Sequence, residues 1–211
     1  MAPYGPVTEA NEGVDGAIAN QVHALFIREY NIPGDDYKTQ GTWGQYFYKM
    51  GTGVRPQWIK TFPLPEAPQT GDGLFEGEVI EVAQVLTNNG VEFLRMAHDR
   101  GWTCAHDIEA GGGNPLFVRV SAELVEERRT YTVPKIASEP AAVLFGPSLE
   151  SQPTGETLVP GENVRVVQRY TPAPGVERQA QSFVKLKKSG GWVPLMTRNG
   201  VVGVAPLKAR G

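Results

Sequence analysis

The chain has 211 residues, a formal net charge of −3 and one cysteine, so no internal disulfide can staple it. Apolar residues make up 40%, and 25 Gly with 17 Pro signal short elements and many turns rather than long helices. No apolar run reaches the ~18 residues that cross a bilayer, and the mild negative charge gives no global reason to bind nucleic acid. The distribution is uneven, however. Residues 1–130 carry 10 Lys/Arg against 18 Asp/Glu, whereas residues 131–211 carry 10 against 5, which suits halves that attract one another or face partners of opposite sign.

Met1–Gly5 show neither the basic n-region nor the apolar h-region of a secretory signal. The chain is expected to be soluble, and a plastid or mitochondrial location would require a transit peptide already removed. An extended arm leads to Asp15, which caps a predicted helix from Gly16 to Tyr30. Ile18, Val22, Leu25 and Phe26 fall at i, i+4, i+7 and i+8, one apolar stripe that can pack on the first domain or on another protein. Thr42 then caps a second, short helix through Met50, with Gly51 at its C′ position. Trp43, Tyr46 and Phe47 crowd it with large rings that must be buried, inside the domain or as an interface anchor. The Pro-rich stretch Phe62–Pro68 is a polyproline II candidate, but its place in the repeat described next makes it the first loop of a domain.

From residue 70 the chain repeats itself. Thr70-Gly71 and Thr154-Gly155, Leu74 and Leu158, Gly77-Glu78 and Gly161-Glu162, and Val82 and Val166 all lie 84 residues apart, while Phe93–Met96 and Trp102 match Phe183–Leu186 and Trp192 at 90. The difference falls between strands, where Asn88-Asn89-Gly90 is replaced by a longer loop, and loops absorb insertions. Alternating Val79/Glu81/Ala83 and Ile80/Val82/Gln84 read as a strand, and Asn89-Gly90 signals a type I′ hairpin. Short strands about ten residues apart, punctuated by Gly and Pro, predict a small barrel in each copy.

After Trp102 comes Thr103-Cys104-Ala105-His106-Asp107. A thiolate beside an imidazole is a nucleophile pair, and His98 and Asp99 nearby add a possible metal set. The second copy has Val193–Thr197 here, so Cys104 and His106 read as strand-end residues rather than a site. Gly111–Gly113 has no Lys-Ser/Thr after it and is no phosphate loop. Residues 121–135 read as a linker whose charges form a solvated face, and Lys185, Lys187 and Lys188 make a basic rim on the second copy.

The order Thr-Gly, Leu, Gly-Glu-x-[VI]-x-Val, turn, Phe-[LV]-[RK]-[ML], Gly-Trp resembles the SH3-like barrel repeats of bacterial and protist proteins, and is distinct from signalling SH3 domains, whose Ala-Leu-Tyr-Asp-Tyr segment is absent. The resemblance implies a mainly β chain: residues 1–53 an N-terminal arm with two helices, 54–120 and 136–211 tandem SH3-like barrels, and 121–135 the linker. No catalytic triad, metal cluster or cofactor fingerprint emerges. The expectation is a non-catalytic interaction protein, a peripheral subunit of a multisubunit photosynthetic or respiratory membrane complex, whose partners are other protein subunits and not nucleic acid. Its interface candidates are the Ile18–Phe26 stripe, Trp43, Tyr46, Phe47 and the three lysines. The alternative is a targeting module that binds a peptide or a cell-wall glycan, as SH3-like repeats of this kind do.

Overall fold

The computed structural model describes residues 40–108, 114–135, 137, 140–173, 181–197 and 202–207. The chain is mainly β over these residues. Strands β1 (Thr42–Met50), β2 (Gln57–Lys60), β3 (Gln69–Leu74), β4 (Val79–Asn88), β5 (Val91–Met96), β6 (Trp102–Cys104) and β7 (Phe117–Arg119) form one antiparallel sheet, in the order β3-β2-β6-β5-β4-β1-β7. Strands β8 (Ala122–Glu126), β9 (Thr130–Thr132), β10 (Ala141–Leu144), β11 (Pro153–Leu158), β12 (Asn163–Pro172), β13 (Phe183–Leu186), β14 (Trp192–Pro194) and β15 (Ala205–Pro206) form a second, ordered β11-β10-β14-β13-β12-β9-β15 with β8 also on β12.

The two orders correspond position by position, so the duplication seen in sequence is a duplication of topology. The same irregularity recurs as well: pairing slips between Val82 and Gln84 in β4 and between Val166 and Gln168 in β12. Gly77 and Gly161 adopt φ of 82° and 87°, a left-handed conformation that suits glycine in a tight turn. In each, the following glutamate closes the turn through its own N–H and caps it with its carboxylate, Glu78 on the Phe75 N–H at 3.2 Å and Glu162 on the Val159 N–H at 2.9 Å. Asn89 and Gly90 both have positive φ, as the hairpin signal requires.

Two expectations are corrected here. The sheets are not closed barrels: among the described residues neither strand path returns on itself, because the terminal strands β7 and β15, three and two residues long, do not reach β3 and β11. The stretch Thr42–Met50 is not a helix either. It is β1, paired with β4 on one side and β7 on the other. Aromatic residues favour a pleated surface, and two-sided pairing outweighs local capping signals at Thr42 and Gly51. The helix expected at 16–30, with Ile18, Val22, Leu25 and Phe26, lies outside the described residues. Residues 121–135 supply β8 and β9, which together occupy the place of β1 in the second sheet: Trp43 and Lys49 face Gln84 and Val79, and Glu126 and Thr132 face Gln168 and Asn163.

Each sheet has its own apolar core, one around Met50, Ile59, Leu74, Val82 and Leu94 and the other around Tyr131, Val143, Leu158, Val166 and Val184. A further cluster, with Trp102, Phe93, Leu86 and Cys104, takes in Leu64 and Ala67, so the Pro-rich loop packs on its own domain. The remaining cluster belongs to both sheets: Phe47 and Val79 of the first pack with Leu144, Tyr170, Phe183 and Trp192 of the second. β4 therefore buries both faces, Ile80 and Val82 inward and Val79 and Glu81 toward the neighbouring sheet, which is why its alternation carries no solvent-facing row until Thr87.

Polar contacts complete this junction. Ser151 Oγ donates to the Val79 carbonyl at 3.0 Å, the Gln152 N–H to Glu78 Oε1 at 2.9 Å, and Gln152 Nε2 to the Gly73 carbonyl at 2.9 Å. Gly146 rests directly against the Val79 carbonyl, where any Cβ would collide with backbone. Burial in this contact pushes the Glu78 carboxyl from 4.5 up to about 7, against the pull of the Phe75 and Gln152 N–H groups and of Arg100. A folded-state value above the unfolded one means that the native protein holds a proton the unfolded chain has lost, so stability falls as pH rises from about 4.5 to 7 and is level above that. His98 acts in the opposite sense, since burial lowers its value and costs stability below 6.5. Comparison with Glu78→Gln isolates the carboxyl: relative to the wild type, the variant should gain about 3 kcal/mol between pH 4.5 and pH 8, measured by urea denaturation.

Candidate functional site

Where the two sheets meet, a cleft of about 930 Å³ opens between Gly44, Gln45 and Glu81–Ala83 on one side and Glu126, Arg128–Thr130, Arg165–Gln168, Lys185 and Lys187 on the other. Its position follows from the repeat. β1 slips register between Trp43 and Tyr46, and the corresponding strand of the second sheet is broken between β8 and β9. Both irregularities fall at the cleft.

Its floor is a carboxylate from one sheet held by the other. Glu81, 7% exposed, accepts Lys185 Nζ at 2.6 Å and Gln45 Nε2 at 2.8 Å on Oε1, and Trp192 Nε1 at 3.0 Å on Oε2. His98 Nε2 stands 3.9 Å from the same oxygen. Beside this group, the amides of Gln45 and Gln168 exchange hydrogen bonds at 2.9 and 3.0 Å across the junction. His98 itself is held in a left-handed conformation, φ 61°, and its ring packs where Gly190 leaves no room for a Cβ. Burial and the cations Lys185 and Arg100 lower its pKa, opposed by Glu81 and Asp99.

Both Glu81 oxygens are thus committed to donors, a structural use. The rim differs. Arg128, Arg129, Arg165 and Lys187 are exposed, and the only other carboxylate lining the cleft among the described residues, Glu126, is 81% exposed and 3.5 Å from Arg128. Cationic side chains outnumber carboxylates five to two around the cleft, within a chain of net negative charge. Such a site concentrates anions by its own field. Arginine adds a planar fork that matches carboxylate geometry.

The residues singled out from sequence are distributed unevenly around it. Lys185 is at the floor, engaged with Glu81, and Lys187 is on the rim; Lys188 is exposed but does not line the cleft. Phe47 is 4% exposed, packed 4.8 Å from the Tyr170 ring, and so joins the sheets within the chain. Tyr46 is half-buried beneath the Arg119 guanidinium, 4.4 Å away, and Trp43 is 48% exposed immediately before the cleft residues Gly44 and Gln45. Cys104 and His106 are not brought together as a nucleophile pair. The thiol is 5% exposed in the Trp102 cluster and burial pushes it up to about 11, while His106 bridges Pro115. Sequence reasoning missed Glu81, Gln45, Gln168 and Arg165. The signal for Glu81 was a lone carboxylate within the otherwise apolar run Val79–Ala83.

No family model matches the chain, and no curated protein matches it. Among solved structures, it is similar to a protein of Listeria monocytogenes described as an autolysin, at 9% identity and TM-score 0.28 over 78% of this chain and 64% of that one. It is also similar to Ly7917, at 13% identity and TM-score 0.29 over 75% of this chain and 66% of that one, and to Ly7917 with the hydrolyzing product of MDP, at 13% and 0.30 over 82% and 66%. The chain spans about two thirds of the length of each. None of the three is an accessory subunit of a photosynthetic or respiratory assembly, and one contains a product of hydrolysis. The expectation of a non-catalytic subunit of such an assembly is corrected accordingly. At these scores the matches leave the chemistry of this chain to its own residues.

Proposed function

We propose that the junction cleft is a recognition site for an anionic segment of a peptide or a cell-wall glycan, carried by tandem repeats related to SH3-like targeting modules. The supporting observation is the cationic rim of Arg128, Arg129, Arg165 and Lys187 around a floor whose own carboxylate is already neutralised by Lys185 and hydrogen-bonded by Trp192. Because Glu81 is satisfied within the chain, it does not draw Arg129, Arg165 and Lys187 away from an incoming carboxylate, whereas Arg128 already faces Glu126. The test is co-sedimentation of the purified chain with insoluble bacterial cell-wall material at two salt concentrations. Binding that weakens with salt, and falls about tenfold in an Arg129→Ala/Arg165→Ala/Lys187→Ala variant with native stability, supports the reading. Equal binding by variant and wild type sinks it.

A further inference from the structure

The indole of Trp43 is 48% exposed although it lies on a paired strand. The Arg95 guanidinium is 5.3 Å from its ring centroid and 5.9 Å from that of Trp102, and Asp99 Oδ1 steadies Arg95 at 3.0 Å. Arg95 thus lies within cation–π reach of both indoles, while nearly half of Trp43 faces solvent. Exposure alone does not mark a site, since Trp58 is 50% exposed as well, but an indole presents a flat apolar face with a polar handle, and this one lies next to the cleft in sequence. Trp43 does not itself line the cationic cleft, but the residues that follow it, Gly44 and Gln45, do, and Gln45 with Gln168 offers paired amides beside the Glu81 floor.

We infer that the ligand of the cleft is an acidic sugar within a glycan, with its apolar ring face on Trp43, its hydroxyl or amide groups on Gln45 and Gln168, and its carboxylate on the Arg129–Arg165 rim. This deepens the anionic-ligand reading of the cleft and rests on it. Pyranose rings carry an apolar C–H face and a polar edge, which is the pattern of an indole next to amides. A peptide carboxylate needs the cations but no flat ring. A single-stranded nucleic acid needs both, but its run of phosphates suits a strongly basic groove, whereas this cleft contains Glu81 and Glu126 and the chain is negative overall.

The experiment is calorimetric titration of the full chain with tetragalacturonate, with neutral chitotetraose, with a glutamate hexapeptide and with a single-stranded thymidine oligonucleotide. The expected result is binding of tetragalacturonate at least tenfold tighter than the other three. Trp43→Ala should reduce it about tenfold, with partial recovery in Trp43→Phe, whereas Trp58→Ala, at an equally exposed indole on β2 that adjoins no cleft-lining residue in sequence, should leave it unchanged. Hexapeptide binding that is lost with the rim arginines but indifferent to Trp43→Ala overturns the sugar assignment and preserves the cleft. Preference for the oligonucleotide overturns it in favour of base stacking, and loss of sugar binding in Trp58→Ala moves the site elsewhere. If none of the four ligands binds, both this inference and the reading it rests on fall.

Discussion

Replacing Glu81 with alanine is expected to remove about 3–5 kcal/mol of stability, among the largest effects of any single substitution in this chain. The change strands three donors at once: Lys185, whose side chain is 17% exposed, Trp192 Nε1 and one bond of Gln45. Most of the loss comes from leaving the ammonium half-buried without its counter-charge, not from the intrinsic worth of the pair. The double variant Glu81→Leu/Lys185→Met should consequently recover much of it, because apolar replacement of both partners removes the desolvation cost together with the attraction. Urea denaturation of the wild type, Glu81→Leu, Lys185→Met and the double variant measures the coupling. A loss below about 1 kcal/mol in Glu81→Ala would mean that the ion pair is only a passenger on an apolar junction.

Trp192→Ala is the second. Its side chain is fully buried, with Phe47 at 5.9 Å and Tyr170 at 5.9 Å, and truncation of an aromatic in such a setting costs about 3–5 kcal/mol. Trp102→Ala, at the equivalent place in the first copy, should cost a similar amount but act differently. Trp102 packs with Leu64, Leu86 and Phe93 of its own sheet, whereas Trp192 packs with Phe47 and Val79 of the other. Only the loss of Trp192 should therefore uncouple the two sheets, seen as two denaturation transitions in place of one. Trp192→Phe keeps most of the packing and deletes the bond to Glu81, a loss of about 1.5–3 kcal/mol for a hydrogen bond to a charged group.

The repeat was legible from sequence because turns and strand ends impose residue types: Gly77 and Gly161 for positive φ, Glu78 and Glu162 for capping, Trp102 and Trp192 for core volume. What escaped was the strand that begins each copy. β1 begins with a threonine and is followed by a glycine, signals that also fit a short helix, and the residues it pairs with lie thirty or more positions away in sequence. Its counterpart was hidden too, because in the second copy the strand is broken into β8 and β9 with a charged run between. The cleft could not be read for the same reason: it is made by two strands meeting irregularly, and no local pattern encodes a meeting. Lys185 and Lys187 were visible as cations, but which of them was already neutralised depended on a carboxylate 104 residues away.

The way Glu81 is seated also limits how far this architecture can grow. One copy of the repeat extends a carboxylate into the Lys185–Trp192 socket of the next, a head-to-tail contact that in principle could be continued from chain to chain into a filament. The second copy, however, has Arg165 at the position of Glu81, and the socket of the first copy is lined by Arg95. A further unit would bring guanidinium against guanidinium, a like-charge encounter that rejects the contact. Arg165, which carries that charge in the second copy, lines the cleft instead.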